Sequence, residues 1–130
     1  MIYEPKEKPL HILQERKKGD IFIIESPMFR DRDNSDDDNV RLGVVFQNDK
    51  YTEHAHTILT IPLSSHISLR NEMESVVIKP DETNNLQYTV ALQITEMRMF
   101  RKMHMKVKLG YLSDKDIQAA NKAVKDFIGI

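Results

Sequence analysis

The chain has 130 residues, 19 Lys+Arg against 20 Asp+Glu, and no cysteine. Such a length suits one domain, and the missing thiols exclude a disulfide scaffold, a thiolate metal site and a cysteine nucleophile. No run approaches the roughly 18 apolar residues of a membrane span, and Leu10–Leu13 is too short for a secretory signal, so a cytoplasmic protein is expected.

Residues 1–17 are expected as an N-terminal extension and 18–130 as a single domain, with Leu10–Lys17 adding a short helix. Gly19 precedes the first strand, Asp20–Glu25, whose Ile21–Ile24 form a short apolar run. Ser26–Asn39 is then a loop, and its stretch RDRDNSDDDN holds five aspartates against two arginines. Like charges there resist compaction. Further strands are expected at Arg41–Gln47, followed by an Asn48-Asp49 turn, and at Thr57–Leu63, where Pro62 marks an end or an edge position. Val76–Lys79, Tyr88–Thr95 and Met103–Leu109 follow, the last with the period of two that marks a half-buried strand. Ser113 and Asp116 open a C-terminal helix with a near capping box. Ile117, Ala120, Val124, Phe127 and Ile128 recur on one face of it, and Gly129 stops it. The pattern implies an α+β fold, a small barrel closed by a C-terminal helix, and excludes a βαβ arrangement.

The charge sums to −1, yet Arg98, Arg101, Lys102, Lys106 and Lys108 fall in a stretch without an acid. A segment of that kind can face a polyanion whatever the total charge. There is no phosphate-binding loop and no Gly-x-Ser-x-Gly elbow, so no cofactor is expected. His54-x-His56 has metal-like spacing, but no third ligand stands nearby and polar loop histidines are the plainer reading. His104 reads as polar or half-buried. The cluster Met97, Met99, Met103 and Met105 reads as core and interface packing.

Three segments taken in order resemble the MazF/PemK family of toxin endoribonucleases from type II toxin–antitoxin pairs. Lys18-Gly19-Asp20-Ile21-Phe22 is similar to the family's basic-Gly-Asp opening. Val40–Asp49 is similar to its arginine-led second strand, and Thr57–Ser65 to the strand that ends at Thr or Ser. Ala91–Arg98 and Leu112–Ile130 continue the likeness to the terminal Gly-apolar pair.

The resemblance implies an SH3-like antiparallel β-barrel of CcdB/MazF type that forms a homodimer, cleaves single-stranded RNA at short sequences without metal, and is inhibited by a cognate antitoxin. In such a reaction the 2′-OH attacks the adjacent phosphate and expels the 5′-oxygen. Arg41 takes the position of the family's catalytic arginine, stabilising the phosphorane-like transition state and serving as acid or base. Ser64 takes the position of its catalytic threonine, and Arg98, Arg101, Lys102 and His66 would contact RNA. Leu42 stands where the family has proline, and the first loop is acidic rather than glycine-rich. Those departures keep open a second reading, a binding module without nuclease activity. A gyrase poison of CcdB type is a third, although Ile128-Gly129-Ile130 lacks the tryptophan such toxins use. Asp31, Asp33, Asp36, Asp37 and Asp38 could also compete with RNA for Arg41, in which case deleting Ser35–Asp38 raises cleavage.

Overall fold

A computed structural model of the chain describes residues 15–27, 40–65 and 76–130. His66, the aspartates of the 31–38 segment and Leu10–Gln14 lie outside the described residues. In order, the elements are β1 (Asp20–Glu25), β2 (Val40–Val45), a one-turn helix α1 (Asp49–Thr52), β3 (Thr57–Ser64), β4 (Val77–Ile78) and β5 (Val90–Leu92). After a 3-10 turn at Ile94–Glu96 come β6 (Arg98–Arg101), a second 3-10 turn at Lys102–His104, β7 (Met105–Tyr111) and α2 (Asp114–Ile128).

The strands form one antiparallel sheet in the order β4-β5-β3-β2-β1-β7, with β6 paired to β3. Alternation along β1 explains why the sheet curls around two cores. Ile21 points into a cluster with Val44, Ile61, Leu63, Leu92 and Ala120 of α2, whereas Phe22 and Ile24 join Val45, Ile58, Phe100 and Met105 on the other face. Successive strand residues face opposite sides, so apolar Ile21–Ile24 serves both clusters.

The expected α+β barrel with a closing helix is therefore what the described residues form, with local corrections. Pro62 is neither at an edge nor at a strand end: it is buried inside β3, opposite Gly43, and accepts from the Gln93 amide at 2.9 Å. It sits where β3 stops pairing with β2 and begins pairing with β5, a position at which the missing N–H costs no ladder bond. The stretch expected as one strand at Tyr88–Thr95 is broken. Residues 90–92 pair with the end of β3, the 3-10 turn takes up slack, and Arg98–Arg101 pairs with its beginning. Asn48 does not simply turn the chain; its side chain caps α1 by accepting from the Lys50 amide at 3.0 Å. The strand expected from Met103 starts only at Met105, after the second 3-10 turn.

Closure of the barrel depends on the 81–86 segment. The Asp81 carboxylate accepts from the Thr83 and Asn84 amides at 2.9 and 2.8 Å, which draws its pKa below the usual carboxylate value. The resulting turn offers the Thr83 carbonyl to the Tyr111 amide at 2.9 Å, and Asn85 donates to the Leu109 carbonyl at 2.9 Å. Gly110 permits that approach: a Cβ there would lie 2.8 Å from the Asn84 carbonyl carbon. The helix α2 behaves as its sequence implies. Ser113 Oγ accepts from the Asp116 amide at 3.2 Å, and Gly129 ends the helix in the left-handed region at φ 84°.

Candidate active site

Arg41 and Ser64 come from neighbouring strands. The β2–β3 ladder pairs Gly43 with Pro62, Val44 with Ile61 and Val45 with Thr60. Arg41 and Ser64 each lie two residues beyond the last of these pairs, Gly43–Pro62, and Ser64 pairs with Ala91 of β5. Arg41 also pairs with Ile24 of β1, so it lies on the sheet face that carries Phe22, Ile24 and Val45, at the rim of that cluster. Gly43 stands between the pair and the cluster. A Cβ on it would meet Ile24 Cδ1 at 2.6 Å and Thr60 Cγ2 at 2.8 Å, so glycine lets the three strands close up beside Arg41.

Both side chains are half-buried. Arg41 Nη1 donates to the carbonyl of its neighbour Val40 at 2.8 Å. A planar fork of donors is suited to a phosphate, whose oxygens can each accept.

The basic residues do not gather at this pair. Arg98 lies opposite Thr60 on β6, with Nη2 on the Glu96 carboxylate at 3.1 Å. Arg101 lies opposite Thr57, at the far end of β3. It lines a groove of about 720 Å³ with Lys102, His54, His56, Glu53 and Met103. The Lys102 amide donates to the His56 carbonyl at 2.9 Å, and its Nζ to the Glu53 carbonyl at 3.2 Å. Burial, with the nearby Arg16 charge, pushes the Lys102 ammonium below its ordinary pKa, while Glu53 pulls the other way.

His54 and His56 had no strong sequence signal. They precede β3 in a turn rather than lying on a strand, and the fold brings them to Arg101 through the Thr57–Arg101 pairing. Among the described residues no group of three His, Cys, Asp or Glu is placed to hold a metal ion. His104 is half-buried with Nδ1 unpartnered among the described residues. Burial first, then Lys106 and Arg101, lower its pKa against the opposing effect of Glu25. Of the clustered methionines, Met105 is fully buried, but Met99 and Met103 are exposed.

A sequence profile of the family described as PemK-like, MazF-like toxin of type II toxin–antitoxin system matches residues 17–128. An endoribonuclease MazF of Staphylococcus saprophyticus is 25% identical over 115 residues, which cover 88% of this chain and 92% of that protein. Among solved structures, a MazE–MazF structure from Deinococcus radiodurans superposes with a TM-score of 0.70 at 11% identity, over 90% of this chain and 98% of that one. An endoribonuclease from a mycobacterial species, in complex with its cognate antitoxin, gives 0.67 at 11% identity, over 90% and 96%. The Mycobacterium tuberculosis toxin MazF-mt6 gives 0.67 at 13%, over 85% and 97%.

Proposed function

The chain belongs to the PemK-like, MazF-like toxin family of type II toxin–antitoxin systems, and from that premise we propose that it is a cytoplasmic endoribonuclease. It cuts single-stranded mRNA at short sequences without a metal ion, acts as a homodimer and is held in check by a cognate antitoxin. The observation that carries the reading is the family match over residues 17–128, in a chain with an arginine on β2 and a serine at the end of β3.

The reaction asks little covalent chemistry of the protein. The 2′-oxygen forms a bond to phosphorus, the bond from phosphorus to the 5′-oxygen breaks, and a cyclic phosphate remains. The proton leaves the 2′-hydroxyl and another reaches the departing 5′-oxygen. Arg41 offers a fixed positive charge and paired donors to the non-bridging oxygens, where negative charge grows in the transition state. Ser64 adds a hydroxyl donor from the facing strand and keeps the phosphate in line. Electrostatic stabilisation is the part a guanidinium performs best, and it needs no metal. Arg98, Arg101 and Lys102 attract the RNA backbone, so binding weakens steeply with salt. His66, two residues beyond Ser64, is a further RNA contact in this reading.

The test is cleavage of a long single-stranded RNA in EDTA and low salt, with ends mapped. Wild type yields discrete cuts, and Arg41→Ala slows them by roughly 10²–10³-fold, the loss usual for one transition-state donor. RNA left intact by the wild-type protein refutes the nuclease and leaves the binding-module reading.

A further inference from the structure

The groove at the start of β3 lies well away from Arg41 and Ser64. Thr57 and Ser64 are the ends of β3, seven steps apart, and at about 3.3 Å per step that is roughly 23 Å. Its lining is unlike that of an ordinary solvated surface. Two exposed histidines, His54 and His56, face Arg101 and Lys102 across it, with the exposed thioether of Met103 beside them. Glu53 is the one acid in the lining, and its carboxylate lies 3.9 Å from His54 Nε2. The Arg16 guanidinium approaches from beneath, donating to the Lys102 carbonyl at 3.3 Å, so cations outnumber anions. Arg98, opposite Thr60 on β6, lies three residues from Arg101 and so on the other face of the sheet, with Nη2 on the Glu96 carboxylate at 3.1 Å.

We infer that this groove is a second binding site for the RNA substrate, holding a stretch of single strand several nucleotides away from the bond that is cut. The inference rests on the nuclease reading for the identity of the ligand. The imidazole rings offer stacking surfaces to unpaired bases and the Met103 side chain an apolar contact, while Arg101 and Lys102 meet the backbone. A protein segment of Asp and Glu alone would use the two cations but has nothing to stack on the rings. Stacked nucleotides advance about 3.4 Å each, so roughly seven span the distance. The site lengthens the footprint and adds affinity; it takes no part in bond breaking.

The test uses the full chain and 2′-O-methyl RNA, which lacks the attacking hydroxyl and so binds without being cut. Wild type binds a strand of ~15 nucleotides roughly tenfold more tightly than one of ~4, a gain of the size expected from stacking of one or two bases. His54→Ala/His56→Ala brings the two lengths to within about twofold of each other. The His54 side chain is 87% exposed, so His54→Ala alone keeps the fold and lowers the length preference in part. Arg101→Gln/Lys102→Gln reduces the slope of log affinity against log salt by about 1.4, the single-strand value for two phosphate contacts.

A double histidine variant that keeps the full length preference overturns the inference, as does equal weakening of both lengths. If that variant instead loses affinity for a poly-glutamate peptide while its RNA binding is unmoved, the groove takes an acidic protein segment and the RNA assignment fails. The two readings separate cleanly. A wild type that cuts no RNA yet shows the histidine-dependent length preference loses the nuclease and keeps the groove; cleavage with no length preference does the reverse.

Discussion

Replacing Arg16 tests how the groove is held. Its residue is only 6% exposed, an unusual place for a guanidinium, and burial lowers its pKa. The group stacks 5.3 Å from the centre of the Phe22 ring and donates through Nη2 to the carbonyls of Lys102 and Met105, each at 3.3 Å. Those carbonyls flank the 3-10 turn that presents Lys102 to the groove. In Arg16→Ala, two long hydrogen bonds contribute about 1 kcal/mol each. The cation–π contact adds about 1–2 kcal/mol and the buried methylenes about 2 kcal/mol. Against this, removing a buried charge recovers several kcal/mol of desolvation. A net loss of about 2–4 kcal/mol remains, because both carbonyls lose the Arg16 donor, leaving that of Lys102 with the Met105 amide. Urea denaturation followed by circular dichroism measures it, and the melting temperature falls by about 10 °C for a domain of this size. Arg16→Met keeps the methylenes and loses only about half as much. Stability of Arg16→Ala within about 1 kcal/mol of wild type refutes the argument, since burial and desolvation would then cancel and the turn would stand without its tether.

Other consequences are simpler to state. Gly110→Ala drives a Cβ against the Thr83 and Asn84 backbone and must open the Tyr111–Thr83 hydrogen bond that closes the barrel. Overpacking and the lost bond together cost about 3 kcal/mol, read as a shifted urea midpoint. Ser64→Ala slows RNA cleavage by about tenfold or more while Ser64→Thr retains most activity, if the hydroxyl is the working group; equal rates in both dismiss it. His104 titrates with a folded pKa below its unfolded value of about 6.5, so the unfolded state takes up the proton first. Stability is therefore complete above about pH 7 and declines as the pH falls through 6.5. His104→Asn flattens that part of the urea midpoint profile, and an unchanged profile assigns the slope to other groups.

Much of the fold was legible because its signals are local. The short apolar Ile21–Ile24 run behind Gly19 reads as a buried strand, and Ser113 with Asp116 starts α2 where the cap chemistry requires. What escaped was set by contacts far along the chain. Nothing in Arg98–Arg101 reads as a strand, since Phe100 is its one fully buried side chain; it extends because β3 offers an unpaired edge. The break at Ile94–Glu96 has the same origin. The chain crosses from pairing with the end of β3 to pairing with its beginning, and the turn absorbs the change in register. No window of sequence contains that demand.

The site divides along the same line. Arg41 and Ser64 have no chemistry-specific spacing of their own, and only the resemblance singled them out. The β2–β3 ladder beside them ends at Gly43, where a Cβ would run into Ile24 and Thr60. The histidines passed as loop residues because their partners are nearly fifty residues away, across the Thr57–Arg101 pair. A chain of net charge −1 can then still hold a polyanion. The segment paired along β3 and the turn after it carry Arg98, Arg101 and Lys102, and the decisive quantity is the local field, not the sum. That argument bears on salt. If affinity arises from few contacts along β3 rather than from overall charge, added salt should weaken binding by a slope set by Arg41, Arg98, Arg101 and Lys102, about three for four phosphates on a single strand. A much steeper slope would mean that cations elsewhere on the surface share the RNA, and the few contacts along β3 would lose their claim.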